Sequence, residues 1–368
     1  MAGFLRAFIV FATLCAAGPA FARPALVIDA ATGEVLHSHE ATRLWYPASI
    51  TKVMTTYVAL SAVRSGRISM DTQLTVTQRA LNEPPSKTGM PVGSTLSLEQ
   101  ALRIIMVKSA NDTAVTIAEG VGGSVESFVA EMNRTARALG MRDTNYVNPN
   151  GLPDSGQITT ARDQALLAQA IYRDFPRYTF LFSLDNVKIG GRTFRNHNSL
   201  IGRYPGADGL KTGFICDSGF NLVASVQRNG RRLIGVVFGA ENTKIREDVM
   251  VALIESGFDN SGGLLFRSRK ATAESLPSTG QPPFVMRDHV CGPKKQRTAV
   301  SGEIASWGLS ARQTAIASVA DPARQIAASG GGVIGNLLSR GEGDDDSGAD
   351  NPVRYGAVPM PERNPLRR

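Results

Sequence analysis

Metal-ligating chemistry is scarce in this 368-residue chain. Its four histidines, His37, His39, His197 and His289, form no ligand spacing with cysteine, so no metal or other cofactor is expected. Cysteine is equally rare. Of the three, Cys15 has Ala12 rather than leucine three residues ahead of it, which excludes a lipoprotein attachment site. Long hydrophobic runs are missing as well. The N-terminal apolar stretch, Ala7 to Ala17, is too short to span a membrane. Negative charge is in deficit, and the formal net charge is +8. That surplus suits an anionic wall or membrane surface but specifies neither, and no nucleic-acid partner is expected.

The short apolar stretch instead reads as a secretory signal. Arg6 supplies the positive start, and Ala20-Phe21-Ala22 supplies the cleavage pattern, so the mature chain is expected to begin at Arg23. An oxidising compartment follows, in which Cys216 and Cys291 are free either to pair or to stay as two thiols. From Gly262 onward Gly, Ser, Pro and charge dominate, with an acidic low-complexity run at residues 341–350 and a Pro/Arg-rich end at 351–368. The expected organisation is a leader over 1–22, a catalytic domain over 23–262 and a largely disordered tail over 263–368. A helix is conceivable within the tail at Ala311 to Ser329.

Within the middle region the sequence contains Ser49-Ile50-Thr51-Lys52, then Ser109-Ala110-Asn111, then Lys211-Thr212-Gly213. Alone, each has a plainer reading: a surface helix with a chance serine and lysine, a helix N-cap, a strand preceded by a turn glycine. Serine is a poor nucleophile without a base. Lysine serves as that base only when desolvated or set near other positive charge. The i, i+3 spacing puts Ser49 and Lys52 on one face of a helix whose remaining residues carry no charge as far as Leu60. Pro47 stands just ahead of it, so Ser49 falls where backbone amides lack helical partners and one can serve an oxyanion. Ser109 and Asn111 fall between two helical stretches, where a loop can point a hydroxyl and an amide into a cleft. Lys211-Thr212-Gly213 precedes strand-like segments joined by Asn229-Gly230, a hairpin signal. A strand carrying it offers an edge to an extended peptide.

The three motifs in this order resemble those of the serine D-alanyl-D-alanine carboxypeptidases, the low-molecular-mass penicillin-binding proteins, from about Pro24 to Phe258. The resemblance implies an α/β (α+β) fold of the β-lactamase/transpeptidase type, with an antiparallel sheet built from both chain ends beside a helical subdomain. It implies a periplasmic or wall-located enzyme that removes the terminal D-alanine of peptidoglycan pentapeptide stems and is acylated by β-lactams. Ser49 would be the nucleophile, Lys52 its base and Ser109 the proton relay. Asn111, Lys211, Thr212 and Gly213 would bind substrate, Phe214 would give the second oxyanion amide, and Arg246 would assist with the substrate carboxylate. Arg162-Asp163 resembles a family element that starts a helix, while His197 reads more simply as structural. A second copy of the third motif, Lys87-Thr88-Gly89, lies in a proline-rich loop ahead of Ser109 and is out of order.

The rival assignments stay close in chemistry. A class A β-lactamase needs a Glu-x-x-Leu-Asn element between Asn111 and Lys211, which is missing. An endopeptidase or transpeptidase would use the same residues. A non-catalytic penicillin-binding sensor would be expected to carry a membrane span and a signalling domain. The second β-rich domain and terminal amphipathic helix of many relatives are not seen in this sequence, which leaves membrane contact open.

Overall fold

The computed structural model describes residues 23–259 and 271–293. The leader, the 262/263 boundary, the 311–329 segment and the two biased segments at 341–368 lie outside the described residues. The elements run β1 (Ala25–Asp29), β2 (Val35–His39), α1 (Thr51–Arg64), β3 (Gln73–Thr75), α2 (Gln78–Leu81), β4 (Thr95–Ser97), α3 (Leu98–Val107), α4 (Asn111–Gly122), α5 (Val125–Ala138) and α6 (Ala161–Asp174). They continue with β5 (Asn186–Ile189), β6 (Arg192–Arg195), β7 (Ala207–Ile215), β8 (Gly219–Arg228), β9 (Arg231–Ala240), α7 (Thr243–Asp259) and α8 (Arg287–Val290).

Five strands form one antiparallel sheet in the order β2-β1-β9-β8-β7. The N-terminal hairpin therefore joins the C-terminal strands, as expected, and β7 is left at an edge. Side chains alternate across the pleat. Leu26 and Ile28 of β1, with Val223, Ile234, Val236 and Phe238, belong to the core shared with the helices α1, α3, α4 and α6. Ala25 and Val27, with Leu222, Ala224, Leu233 and Val237, pack on the opposite face with Met250, Leu253 and Ile254 of α7. The β8–β9 turn has φ +50° at Asn229 and +79° at Gly230, the left-handed pair that a tight hairpin of this twist requires.

Two local details differ from the sequence reading. Residues Ala48–Ile50 form a 3-10 turn ahead of α1 rather than the first turn of a single helix, and Ala48 takes φ +48°. The chain beyond residue 270 does not leave the fold at once. Glu34 bridges Thr272, Arg142 donates to the carbonyls of Glu274 and Leu276, and Leu44 donates to the carbonyl of Gln281. Ala273, Met286 and Val290 are buried. Arg287 forms a two-pronged ion pair with Asp217 at 2.8 and 2.9 Å, and Cys291 is disulfide-bonded to Cys216. Glycine and proline make this segment irregular, but Leu276 and Phe284 also pack against the core, while Val285 stays exposed. Among the described residues no helix is long and apolar enough to cross a membrane.

Candidate active site

The three motifs meet between the sheet edge and the helical region. Lys52, in the first turn of α1, is fully buried, and its Nζ lies 3.0 Å from Ser49 Oγ, 2.9 Å from Asn111 Oδ1 and 2.6 Å from the carbonyl oxygen of Asn150. The orientation of Asn111 is fixed by its other contacts. Its Nδ2 donates to the carbonyls of Pro84 and Pro85 at 3.0 and 3.1 Å, groups that only accept, so Oδ1 must face Lys52. Two pure acceptors thus hold two of the lysine N–H bonds. The third direction points at Ser49 Oγ, so in the neutral amine the lone pair is left for the serine proton.

That neutral form is accessible. Burial, and next the positive charge of Lys211, push the Lys52 ammonium well below the usual lysine range, with Asp112 and Glu83 opposing. Lys211 on β7 is itself buried, and burial followed by the Arg246 charge brings it down to about 7. Its Nζ donates to the Thr212 carbonyl at 3.1 Å. Arg246, near the start of α7, is buried too. Its Nη2 reaches the His197 carbonyl at 3.4 Å and Glu247 Oε1 at 3.2 Å, while its Nε is buried without a hydrogen-bond partner. Two buried cations beside each other with little compensating negative charge suit an incoming anion.

Ser109 sits between α3 and α4 with φ +63°, a strained conformation for serine, and its Oγ is buried without a partner. The cap of α4 is Ala110, with no side-chain cap bond, so the Ser-Ala-Asn run is not acting as a capping motif. On β7, Gly213 lies against the Ser49 turn. A Cβ there would sit 3.1 Å from Ser49 N and 2.8 Å from the Pro47 carbonyl oxygen. The next residue, Phe214, is 42% exposed and its ring packs 4.3 Å from that of Phe220.

Several supporting residues escaped the sequence reading. Trp45 Nε1 donates to the Ser218 carbonyl at 3.1 Å, and Asn221 Nδ2 donates to the Tyr46 carbonyl at 3.1 Å. These tie the residues ahead of Ser49 to the β7–β8 turn and to β8. The Asn148-Pro149-Asn150-Gly151 turn packs on the other side. Pro149 accepts from Thr55 Oγ1 at 2.6 Å, and Gly151, at φ +87°, touches the Ala48 carbonyl so closely that no Cβ would fit. The turn signal was visible in this Asn/Pro/Gly run; its destination was not.

Other candidates fall elsewhere. Arg162 is fully buried and ion-paired to Asp163 at 2.5 Å, with its Nη2 also on the Gly140 carbonyl, so it holds the start of α6 and touches none of the motif residues. Lys87-Thr88-Gly89 lines the back of the second motif. Thr88 and Gly89 donate backbone amides to Asp112 at 2.8 and 2.9 Å, while Lys87 Nζ donates to the Leu81 carbonyl. His197 is solvent-exposed, yet enough protein surrounds it for desolvation, then Lys211, Lys108, Arg246 and Lys52, to hold it below the usual histidine range. It therefore stands at the cleft wall rather than in the core. Among the described residues no group of His, Cys, Asp and Glu could hold a metal ion.

The chain has relatives of known kind. The family described as D-alanyl-D-alanine carboxypeptidase, peptidase family S11, matches residues 15–242. The chain is 30% identical over 269 residues to D-alanyl-D-alanine carboxypeptidase DacF of Bacillus subtilis, covering 72% of this chain and 69% of that one. It is 35% identical over 240 residues to DacA of Haemophilus influenzae, covering 64% and 61%. Among solved structures, penicillin-binding protein 6B from Escherichia coli is similar at 34% identity and TM-score 0.62, covering 66% of this chain and 80% of that one. Penicillin-binding protein D2 from Listeria monocytogenes, in its cefotaxime-bound form, matches at 30% identity and TM-score 0.59, covering 64% and 97%.

Proposed function

The chain belongs to the D-alanyl-D-alanine carboxypeptidase family, peptidase family S11, and on that premise we propose that Ser49, Lys52 and Ser109 carry its chemistry. The protein is a serine D-Ala-D-Ala carboxypeptidase acting on peptidoglycan stem peptides. The observation that carries the assignment of the nucleophile is the Lys52 site, a buried amine with two fixed acceptors and its third direction on Ser49 Oγ.

The substrate peptide adds along β7 as a further strand, and its terminal carboxylate meets Lys211, Thr212 and Arg246. Lys52 takes the proton of Ser49 as Oγ attacks the penultimate carbonyl carbon. The amides of Ser49 and Phe214 hold the oxyanion, an arrangement supported by the close approach of Gly213 to Ser49 N. Ser109 Oγ hands a proton to the nitrogen of the departing D-alanine as the C–N bond breaks. Water then hydrolyses the ester on Ser49 and restores the serine.

The Listeria protein has been solved with cefotaxime and with ampicillin, and the same acylation is proposed here at Ser49. Export, with cleavage after Ala22, rests on the leader sequence and on the chemistry of the substrate. The test is direct. The mature protein should release D-alanine from a D-Ala-D-Ala peptide and bind a labelled penicillin covalently, and Ser49→Ala should abolish both. Label that persists on another serine overturns the assignment.

A further inference from the structure

The two acceptors that hold the Lys52 amine are themselves held by one short stretch of chain. The first is Asn111 Oδ1, turned to Lys52 because the Pro84 and Pro85 carbonyls take Nδ2. The backbone amide of Asn111 also donates to the Ser86 carbonyl, at 2.6 Å. The second acceptor is the Asn150 carbonyl, and the residue just before Pro84 reaches Asn150. Glu83, half-buried after α2, accepts from Asn150 Nδ2 at 2.9 Å through Oε2. The Asn150 side-chain amide has one orientation, since its Oδ1 accepts from the Leu152 backbone amide at 3.1 Å. The Asn148–Gly151 turn is tight as well. Gly151 N donates to Asn148 Oδ1 at 2.7 Å, and Gly151 abuts the Ala48 carbonyl. A tilt of the Asn150 peptide therefore disturbs both the base and the turn that carries Ser49.

We propose that Glu83 is a positioning residue for the reaction, whose carboxylate anchors Asn150 so that the Asn150 carbonyl stays on Lys52. The proposal rests on the reading of Lys52 as the base of Ser49. Glu83 acts on Lys52 in a second way, through its charge. The charged groups around Lys52 are Lys211 on β7, Asp112 on α4 and Glu83, and those around Glu83 are Arg79 on α2, Lys52 and Asp112. Burial, then Lys211, disfavours the ammonium, whereas Asp112 and Glu83 favour it. Removing the Glu83 charge therefore extends the neutral amine to lower pH. Removing its oxygens also leaves Asn150 Nδ2 without the acceptor it now has.

Two substitutions separate the roles. Glu83→Gln keeps an acceptor oxygen for Asn150 and loses the charge, and Glu83→Ala loses both. Penicillin acylation of the mature protein is followed across pH. In both variants the acid limb should move to the acid side by about half a unit, the worth of a partly exposed charge pair. The plateau rate of Glu83→Ala should fall about tenfold, the scale of one hydrogen bond to a charged group, and Glu83→Gln should recover most of that loss. Asn150→Ala removes Nδ2 but retains the carbonyl, so adding Glu83→Ala to it should cost no further plateau rate. A purely structural role would lower the melting temperature and leave the limb in place. NMR of protein carrying isotope-labelled lysine, with the Lys52 signal assigned by its loss in Lys52→Arg, should show the same fall in the Lys52 titration without any reaction. If acylation in the unaltered protein does not follow that titration, the base reading fails by itself, and Glu83 is judged on the NMR shift. A Lys52 titration unmoved in both variants, a plateau in Glu83→Ala equal to that of the unaltered protein, or a Glu83→Gln variant no faster than Glu83→Ala overturns the proposal.

Discussion

Gly213 and Ser49 touch through the hydrogen that glycine has in place of a side chain. A Cβ at position 213 would lie 3.1 Å from Ser49 N, and its other near neighbours, the Pro47 carbonyl and Ile50 N, are also backbone. None can move as a flexible side chain would. Gly213→Ala should therefore push β7 off the Ser49 turn and spoil the spacing of the two amides proposed to hold the oxyanion. A misplacement approaching 1 Å costs about 10²-fold in rate. The expected result is a loss of that order in the rate of penicillin acylation, together with a moderate fall in melting temperature from the backbone clash. An alanine variant that acylates normally would place the oxyanion elsewhere.

Asn111 is expected to act on the base rather than only on the substrate. Asn111→Asp puts a carboxylate 2.9 Å from Lys52 Nζ in place of a neutral oxygen. A negative charge there favours the ammonium and raises the Lys52 pKa. The neutral base then appears only at higher pH, so the acid limb of the acylation profile should move to the alkaline side. The new carboxylate also faces the Pro84 and Pro85 carbonyls that Nδ2 now serves, so the variant should be less stable as well. Acylation rates across pH separate the effects, because lost stability alone leaves the limb in place.

The N-terminal hairpin, the strands after Lys211, the helix after Ser49 and the motif positions were legible because each depends on neighbours in sequence: the Asn229-Gly230 turn, the alternation in β1, the i, i+3 spacing of Ser49 and Lys52. The pairing of the short strands, β3 with β4 and β5 with β6, was not read. The Asn150 carbonyl on Lys52 and the Asn221 and Ser218 clamps on the segment ahead of Ser49 were not. They join residues separated by 98, 175 and 173 positions, and an ordinary Asn or Ser in a turn carries no sign of its partner. The described stretch 271–293 was hidden for another reason. Its composition resembles that of a tail, and its docking rests on partners far away in sequence: the buried places of Ala273, Met286 and Val290, the Arg287–Asp217 ion pair and the Cys216–Cys291 bond.

Lys211 and Lys87 head identical tripeptides but should differ sharply on substitution. Lys211→Ala removes a buried charge proposed to meet the substrate carboxylate and should lower kcat/KM by about 10²-fold or more. Lys87 reaches only the Leu81 carbonyl, and Lys87→Ala should be mild. The pH profile adds a sign. Lys211 is charged below its pKa of about 7 and neutral above it, so kcat/KM should fall on the alkaline side as the cation is lost. Lys211→Arg remains charged through that range, and its alkaline limb should move upward even if the maximum rate is lower. An unmoved limb would assign the alkaline titration to another group.

Removal of the chain after Pro293 and removal after residue 270 should have different consequences. The first takes away a sequence rich in Gly, Pro and charge, without any motif residue, and hydrolysis of a soluble peptide and the melting temperature should both persist. The second strips the buried Ala273, Met286 and Val290, the Arg287–Asp217 ion pair and the disulfide partner of Cys216. Cys216 is five positions beyond Lys211, and Asp217 and Ser218 follow it in the turn that clamps Trp45. A cross-link between residues 75 apart restricts the unfolded chain by about 4 kcal/mol in the chain-entropy view. The shorter protein should melt well below the longer one, and reduction of the longer one should reproduce part of that drop. Cys216→Ser in both backgrounds isolates the packing contribution, since neither then has the bond. If the two serine variants melt together and acylate equally fast, the docked segment contributes only through its disulfide.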